Sequence, residues 1–274
     1  MQSDFNGKME KLKGIISRYK KPAVAFSGGV DSSFLIKLCY DIMGENSAAI
    51  TIVSPMNPKS EMDDAKRIAL HVGIKHLIID DDSIDEAVAE NPPDRCYHCK
   101  KIEFGLIIAK AHEIGCDVVF DGSNHDDISD YRPGMKAITE LSVVSPLLEA
   151  GFIKDEIRDF SKSHGLPTWD KPSFACLASR VPYGEKITKE VLKRIENSED
   201  YLRGLGFIQF RVRSHADTAR IEVSPQERIK FFDIKLIDEI SAKLKSFGYL
   251  YVTFDLEGYK TGSMNRAIAN REKK

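Results

Sequence analysis

Residues 23–33 read AVAFSGGVDSS, and the reading of this stretch decides the fold. Ala23, Val24, Ala25 and Phe26 form an apolar run of strand length, bounded by a turn signal. Ser27, Gly28 and Gly29 turn the chain sharply, and residues 30–40 (VDSSFLIKLCY) carry a helical pattern. A strand that feeds a helix N-terminus through a glycine-rich turn is a ready anion site. The first helical N–H groups lack intrahelical partners, and the dipole there is partially positive. Gly28 and Gly29 tolerate positive φ and let the backbone approach an anion closely. Val30 and Asp31 open the helix at that end. Ser27, Ser32 and Ser33 add hydroxyl groups, and Asp31 is placed to hold a Mg²⁺ that bound phosphates share. The dinucleotide fingerprint GxGxxG and the phosphate loop GxxxxGK[ST] are both absent.

Working outward, residues 4–19 have the spacing of an amphipathic lead-in helix. Residues 47–53 read as a second buried strand, 59–72 as a helix and 75–79 as a third strand. Residues 80–94 form an acidic loop ending in NPPD, followed by a helix over 95–112 and a strand over 116–120 that ends in Asp121-Gly122-Ser123-Asn124. Strand–helix alternation predicts an α/β fold with a parallel sheet and flanking helices. In such sheets the ligand crevice lies at the carboxyl ends of the strands, so Val53, Ser54 and Gly122 are expected to face a nucleotide. The polar loop 125–134 is expected to close the site, and a helix follows over 154–164. Residues 169–184 (WDKPSFACLASRVPYG) show little periodicity, the mark of a functional loop. Beyond it come a helix (189–205), two alternating strands expected to pair antiparallel (207–213, 219–223), a helix (229–247) and a closing strand (249–255). The change of pattern predicts two domains: 1–184, α/β, and 185–274, a smaller α+β domain for substrate binding or oligomerisation.

With 274 residues, 42% hydrophobic and 30% charged, the chain has the composition of a soluble globular protein. A net charge of −2 provides no basic field for nucleic acid. The polar start MQSDFNGKMEKLKG lacks the apolar core of an export signal, and no apolar run has the length of a membrane span. Together with an odd count of five cysteines, this predicts a cytoplasmic protein with thiols or metal ligands rather than disulfides.

Cys176 lies in the irregular loop with Arg180 four residues on. A nearby guanidinium lowers a thiol's pKa and makes the nucleophilic thiolate; the plainer reading is a small buried thiol beside Phe174 and Leu177. Cys96 and Cys99 form a CxxC, a metal or redox signal in a reducing compartment. With Cys176 as third ligand, three thiolates can hold a [4Fe-4S] cluster with one iron open. Zinc with His98 or water as fourth ligand competes, as do two plain thiols at a helix start. Cys39 and Cys116 fit core positions.

SGGVDSS resembles the PP-loop of the ATP pyrophosphatases, which implies ATP as substrate, AMP transfer and release of pyrophosphate. NPPDRCYHCKK, DGSNHDD, DYRPG, LPTWDKPSFACLASRVPYGE, FRVRSHADTARIEV and DLEGYKTGSMN together resemble the ATP-dependent sulfur transferases of the LarE type, over about residues 10 to 265. The resemblance implies that ATP adenylates a carboxylate of pyridinium-3,5-dicarboxylate mononucleotide. A cysteine thiolate then displaces AMP, and sulfur stays on the product as a thiocarboxylate. The pathway it implies makes the nickel-pincer nucleotide of lactate racemase, with a nickel-inserting enzyme downstream and a hexameric assembly. The sulfur-bearing cysteine of that family maps onto Cys176, which is sacrificed in one branch. Cys96 and Cys99 place this chain with the branch proposed to use a [4Fe-4S] cluster, in which Cys176 becomes a cluster ligand. Asp31 is the expected Mg²⁺ ligand, with Glu222 second. Arg211, Arg213 and Arg220, alternating on two strands, are the expected clamp for the substrate phosphate. Trp169 is either a stacking platform or a packing residue. Two rival readings are a tRNA thiolation enzyme on the same PP-loop and a non-catalytic nucleotide- or metal-responsive binding protein.

Overall fold

A computed structural model describes residues 2–129, 133–172 and 175–260. In chain order it begins α1 (Gln2–Ile16), β1 (Pro22–Ala25), α2 (Val30–Met43), β2 (Ala48–Val53), α3 (Lys59–Val72), β3 (Lys75–Asp80), α4 (Glu86–Ala89) and α5 (Arg95–Glu113). It continues with β4 (Val118–Phe120), α6 (Gly134–Glu140), α7 (Pro146–Ala150), α8 (Lys154–Ser163) and α9 (Lys189–Gly204). The last elements are β5 (Phe210–His215), β6 (Thr218–Val223), α10 (Ile234–Ser246) and β7 (Tyr251–Phe254). Parts of three stretches quoted above, Asp130-Tyr131-Arg132, Ser173-Phe174 and residues 261–265, lie outside the described residues.

The chain divides into two compact units, Met1–Ser83 with Asp94–Phe174, and Ile84–Pro93 with Ala175–Lys274. The division falls ten residues before the expected boundary at 184, and residues 84–93 join the second unit. The reason is local. Asp85 caps α4, its side chain accepting from the Ala87 amide, so the expected loop 80–94 contains a helix. Asn91 is fully buried, and its amide nitrogen donates to the carbonyls of Val181, Pro182 and Glu185 at 3.3, 2.7 and 3.1 Å.

The first unit is a parallel sheet of order β3-β2-β1-β4. Successive side chains alternate between its faces. Val24, Ala49 and Phe120 pack on α1, α2, α3, α7 and α8 through Leu12, Phe34, Ile68, Leu147 and Ile157. Ala23, Ala48 and Val119 pack on α5 and α6 through Phe104, Ile107 and Ile138. Covered on both faces, β1 can be apolar throughout, which is why residues 23–26 read as a continuous run. The α/β fold expected from the sequence is the one found.

In the second unit β5 and β6 pair antiparallel, Phe210 opposite Val223 and His215 opposite Thr218. Here β7 runs parallel to β6 because α10 carries the chain back across the sheet. Leu202 of α9 and Ile240 and Leu244 of α10 cover one face with Val212, Ile221 and Tyr249. Among the described residues no helix is long and apolar enough to cross a membrane.

Candidate functional site

The PP-loop turn folds as its residues require. Gly28 takes φ +75, and a Cβ there would lie 3.2 Å from the backbone and Cβ of Ala65 on α3. Gly29 is extended, α2 starts directly after it, and no side chain caps the helix. Ser33 Oγ donates to the Gly29 carbonyl at 2.7 Å, so this hydroxyl braces the turn. Ser32 Oγ lies 3.2 Å from both Ser27 Oγ and the Gly29 carbonyl. Val30 and Ser33 are buried beneath.

Ser27, Gly29, Asp31, Ser32 and Gly122 share the wall of one cavity of about 290 Å³ at the carboxyl edge of the sheet. Its β2 wall is Ile50, Thr51 and Ile52. The predicted Val53 and Ser54 lie one step further on, and Ser54 Oγ is engaged with Asn57 at 2.8 Å. Gly122 is needed for closeness: a Cβ there would be 3.2 Å from the Ser32 amide nitrogen. β4 thus ends against the first turn of α2. Asp121 beside it accepts hydrogen bonds from the hydroxyls of Ser123 and Ser145.

Both oxygens of Asp31 are engaged. Oδ2 pairs with the ammonium of Lys154, and Oδ1 accepts from Asn124 Nδ2 at 3.2 Å. Lys171 reaches the other side of the turn, donating to the Gly28 carbonyl at 3.2 Å and pairing with Glu61 at 2.9 Å and Asp64 at 2.7 Å. Although burial favours the neutral acid, Lys171 and Arg67 together hold the Asp64 carboxyl below its ordinary value. Sequence reading gave neither Lys154 nor Lys171 a role; Asn124 was read as part of the Asp121–Asn124 strand end, and Glu61 and Asp64 only as the acidic start of a helix. Their partners lie 93 to 143 residues away, except within α3. The usable signals were the acidic start of α3 and the lysine at the head of α8.

Cys96 and Cys99 stand in the first turn of α5, both half-buried. The Cys99 thiol is hydrogen-bonded to Glu103, and burial pushes the Glu103 carboxyl up despite that bond and Lys100 nearby. Glu103 and Lys100 also line the cavity. His98 Nε2 lies 3.4 Å from Asp94. Cys96 and Cys99 belong to the first unit and Cys176 to the second. Among the described residues no three His, Cys, Asp or Glu side chains are gathered to hold a metal ion. Neither unit by itself brings three thiolates or a set of zinc ligands together, and the chemistry proposed for the chain uses neither group. Mg²⁺ makes a smaller demand: one or two carboxylates, with phosphates and water completing the shell. Asp31 at an oxygen-lined cavity fits it. Cys39 and Cys116 are buried core thiols, each pushed up by burial.

In the second unit Cys176 precedes a single helical turn, Leu177–Arg180. Arg180 Nη1 donates to the carbonyls of Ala175 at 2.6 Å and Cys176 at 3.0 Å and to Ser179 Oγ at 2.9 Å. Burial opposes its charge, but the Glu199 carboxylate, with a smaller contribution from Cys176, more than restores it. Arg180 therefore holds the backbone that carries Cys176. Glu222, weighed as a second Mg²⁺ ligand, is buried and accepts from Arg213 at 2.8 and 3.1 Å and from Arg220 at 2.9 Å. Arg220 also faces Asp255 at 3.4 Å. Arg211 is buried over the Tyr259 ring, and burial together with repulsion from Arg180 lowers its pKa. Two of the three expected clamp residues thus already share a carboxylate. Trp169 is covered by Lys162, 4.5 Å from the ring centre.

Residues 10–105 match the family described as NAD synthase. The chain is 42% identical over 265 residues to an uncharacterised protein of Synechocystis, covering 96% of this chain and 99% of that one. It is 35% identical over 268 residues to the pyridinium-3,5-bisthiocarboxylic acid mononucleotide synthase of Lactiplantibacillus plantarum, covering 97% and 96%. A tRNA-specific 2-thiouridylase of Clostridioides difficile is 28% identical over 218 residues, 65% of this chain and 60% of that one. The PP-loop at the edge of a parallel sheet and the near full-length likeness to the mononucleotide synthase have one meaning: the chain belongs to the LarE-type family of PP-loop, ATP-dependent sulfur transferases.

Proposed function

We propose that the protein converts a carboxylate of pyridinium-3,5-dicarboxylate mononucleotide to a thiocarboxylate at the expense of ATP. The observation that carries this reading is the uncapped N-terminus of α2, with Asp31 in its first turn, opening on the cavity that Gly122 also lines. Amide hydrogens there suit the pyrophosphate of ATP, and their fixed dipoles stabilise charge that grows as the bond to the α-phosphorus breaks. The substrate carboxylate oxygen attacks that phosphorus, giving acyl-AMP and pyrophosphate. Mg²⁺, when bound at Asp31, neutralises charge on the departing pyrophosphate.

The thiolate of Cys176 then attacks the acyl carbon and expels AMP, which leaves a thioester. Loss of the Cα proton with cleavage of the Cβ–S bond releases the thiocarboxylate and leaves dehydroalanine at 176. Arg180 fixes the peptide carbonyls on both sides of that reaction by the hydrogen bonds given above. Arg211, Arg213 and Arg220, the cations alternating on β5 and β6, are our choice to meet the substrate phosphate. The same reading makes the protein cytoplasmic and homo-oligomeric, with a nickel-inserting enzyme consuming its product.

The test is to supply ATP and the dicarboxylate mononucleotide and follow pyrophosphate, product and protein mass. Pyrophosphate release that depends on the mononucleotide, a thiocarboxylate product and loss of H₂S mass from the Cys176 peptide are expected. Stoichiometric iron and acid-labile sulfide in anaerobically prepared protein would instead assign delivery to a cluster on Cys96, Cys99 and Cys176. Pyrophosphate release that depends on tRNA would assign the protein to tRNA thiolation, and ATP binding without any release would remove the enzymatic reading.

A further inference from the structure

Asp31 is the one carboxylate in the first turn of α2, and its two oxygens are engaged by Lys154 and Asn124. These partners differ in kind. The Asn124 amide is short and lies in a tightly bonded turn, where its Oδ1 accepts from the Asp126 amide at 3.0 Å and its own backbone amide donates to Asp127 at 3.0 Å. Lys154 has a long stem rooted at the first residue of α8. Its own backbone amide is pinned by Asp126 Oδ2 at 2.8 Å, so the base of the stem is fixed while the ammonium can swing. A divalent cation and an ammonium on the same carboxylate oxygen repel each other at close range, so metal binds there more weakly while Lys154 is paired.

We propose that Lys154 is a stand-in cation, holding Asp31 in its ligating position until a metal arrives with the nucleotide and then giving up the oxygen. The inference rests on the reading of Asp31 as a metal ligand. The exchange has two consequences. Asp31 never faces the α2 amides as an unbalanced charge, and free metal is refused unless phosphates accompany it. The released ammonium remains at the head of α8, beside the anion that brings the metal. Apparent affinity falls in proportion to the fraction of competent sites, so a pair closed about nine-tenths of the time weakens metal binding about tenfold.

The experiment titrates Mn²⁺ into the full chain with and without a non-hydrolysable ATP analogue, reading free Mn²⁺ by electron paramagnetic resonance. Without nucleotide, Lys154→Gln and Lys154→Met are expected to bind Mn²⁺ about tenfold more tightly than the natural chain. Lys154→Arg, which keeps the cation, is expected to show no gain, and adding Asp31→Asn to Lys154→Gln is expected to erase it. Unchanged affinity in Gln and Met variants whose circular dichroism and melting match the natural chain overturns the exchange. An Arg variant with the same gain also overturns it. Asp31→Asn alone separates the two ideas. If it leaves Mn²⁺–nucleotide affinity unchanged, Asp31 is not the ligand; if it weakens binding while Lys154→Gln changes nothing, only the exchange fails.

Discussion

The Arg180 guanidinium and the Glu199 carboxylate meet in a two-bond ion pair, Nε to Oε1 at 2.9 Å and Nη2 to Oε2 at 2.8 Å, with both side chains buried. Glu199 Oε1 also accepts from the Val212 amide at 3.0 Å, so the pair joins α9, β5 and the turn bearing Cys176. Breaking a buried pair from one side leaves an uncompensated charge. Arg180→Met or Glu199→Gln is expected to cost about 3–5 kcal/mol in urea unfolding, and the double replacement by Met and Leu to recover much of it. Single variants within about 1 kcal/mol of the natural chain would show that the pair does not hold this turn.

Gly28→Ala places a Cβ in the left-handed region and 3.2 Å from the Ala65 backbone. The strain is about 1–2 kcal/mol before α3 shifts. Calorimetry should register the loss twice, as lower stability and as ATP binding weakened about tenfold or more. A variant that binds ATP normally would mean that the turn tolerates a side chain.

Lys171 neutralises Glu61 and Asp64 beside the Gly28 carbonyl. Removing it leaves two carboxylates facing each other next to the proposed pyrophosphate site. Lys171→Met should therefore weaken ATP at least about tenfold at low salt, and somewhat less at high salt, where the two half-buried carboxylates are partly screened. Salt-independent affinity equal to that of the natural chain would argue against an electrostatic role.

Glu103 gives a pH dependence with a definite sign. Burial raises its carboxyl above the ordinary 4.5 in the folded protein. Well below that pH both folded and unfolded forms are protonated and the group is neutral to stability. As pH rises through the window between the unfolded and folded values, the unfolded chain ionises first and stability is lost. Glu103→Gln should raise the melting temperature at pH 8 and leave it nearly unchanged at pH 4. A parallel shift at both pH values would trace the effect to packing instead.

The parallel sheet and the glycine turn after β1 were legible because they rest on short-range properties: an apolar run, two glycines and a helix start. The cavity wall lies one step earlier on β2 than Val53 and Ser54, because β1 stops opposite Ile50 and the crevice opens there before β2 has ended, which the sequence of β2 alone does not display. The pairing of Lys154 with Asp31 and of Lys171 with the Gly28 carbonyl was not legible, since no local pattern marks a partner more than a hundred residues away. Arg213 and Arg220 were visible as alternating strand cations. Their shared Glu222 was weighed separately, as a metal ligand, because sequence order does not reveal that position 222 sits diagonally opposite 213 in a paired ladder. The second unit's claim on residues 84–93 was hidden in the same way, behind a proline-rich stretch that reads as a linker.

That short excursion bears on heredity and engineering. Asn91, held in a left-handed conformation at φ 52, spends its side-chain amide on carbonyls nearly a hundred positions downstream. The polypeptide therefore crosses from one unit to the other at 83/84, again at 93/94 and once more at 174/175. No single break in the gene separates the halves: a fragment stopping at 174 carries an orphaned strap, and one starting at 175 lacks it. Shuffling the parallel-sheet half onto another partner would require transplanting the strap's acceptor as well, so the two units are expected to be inherited together.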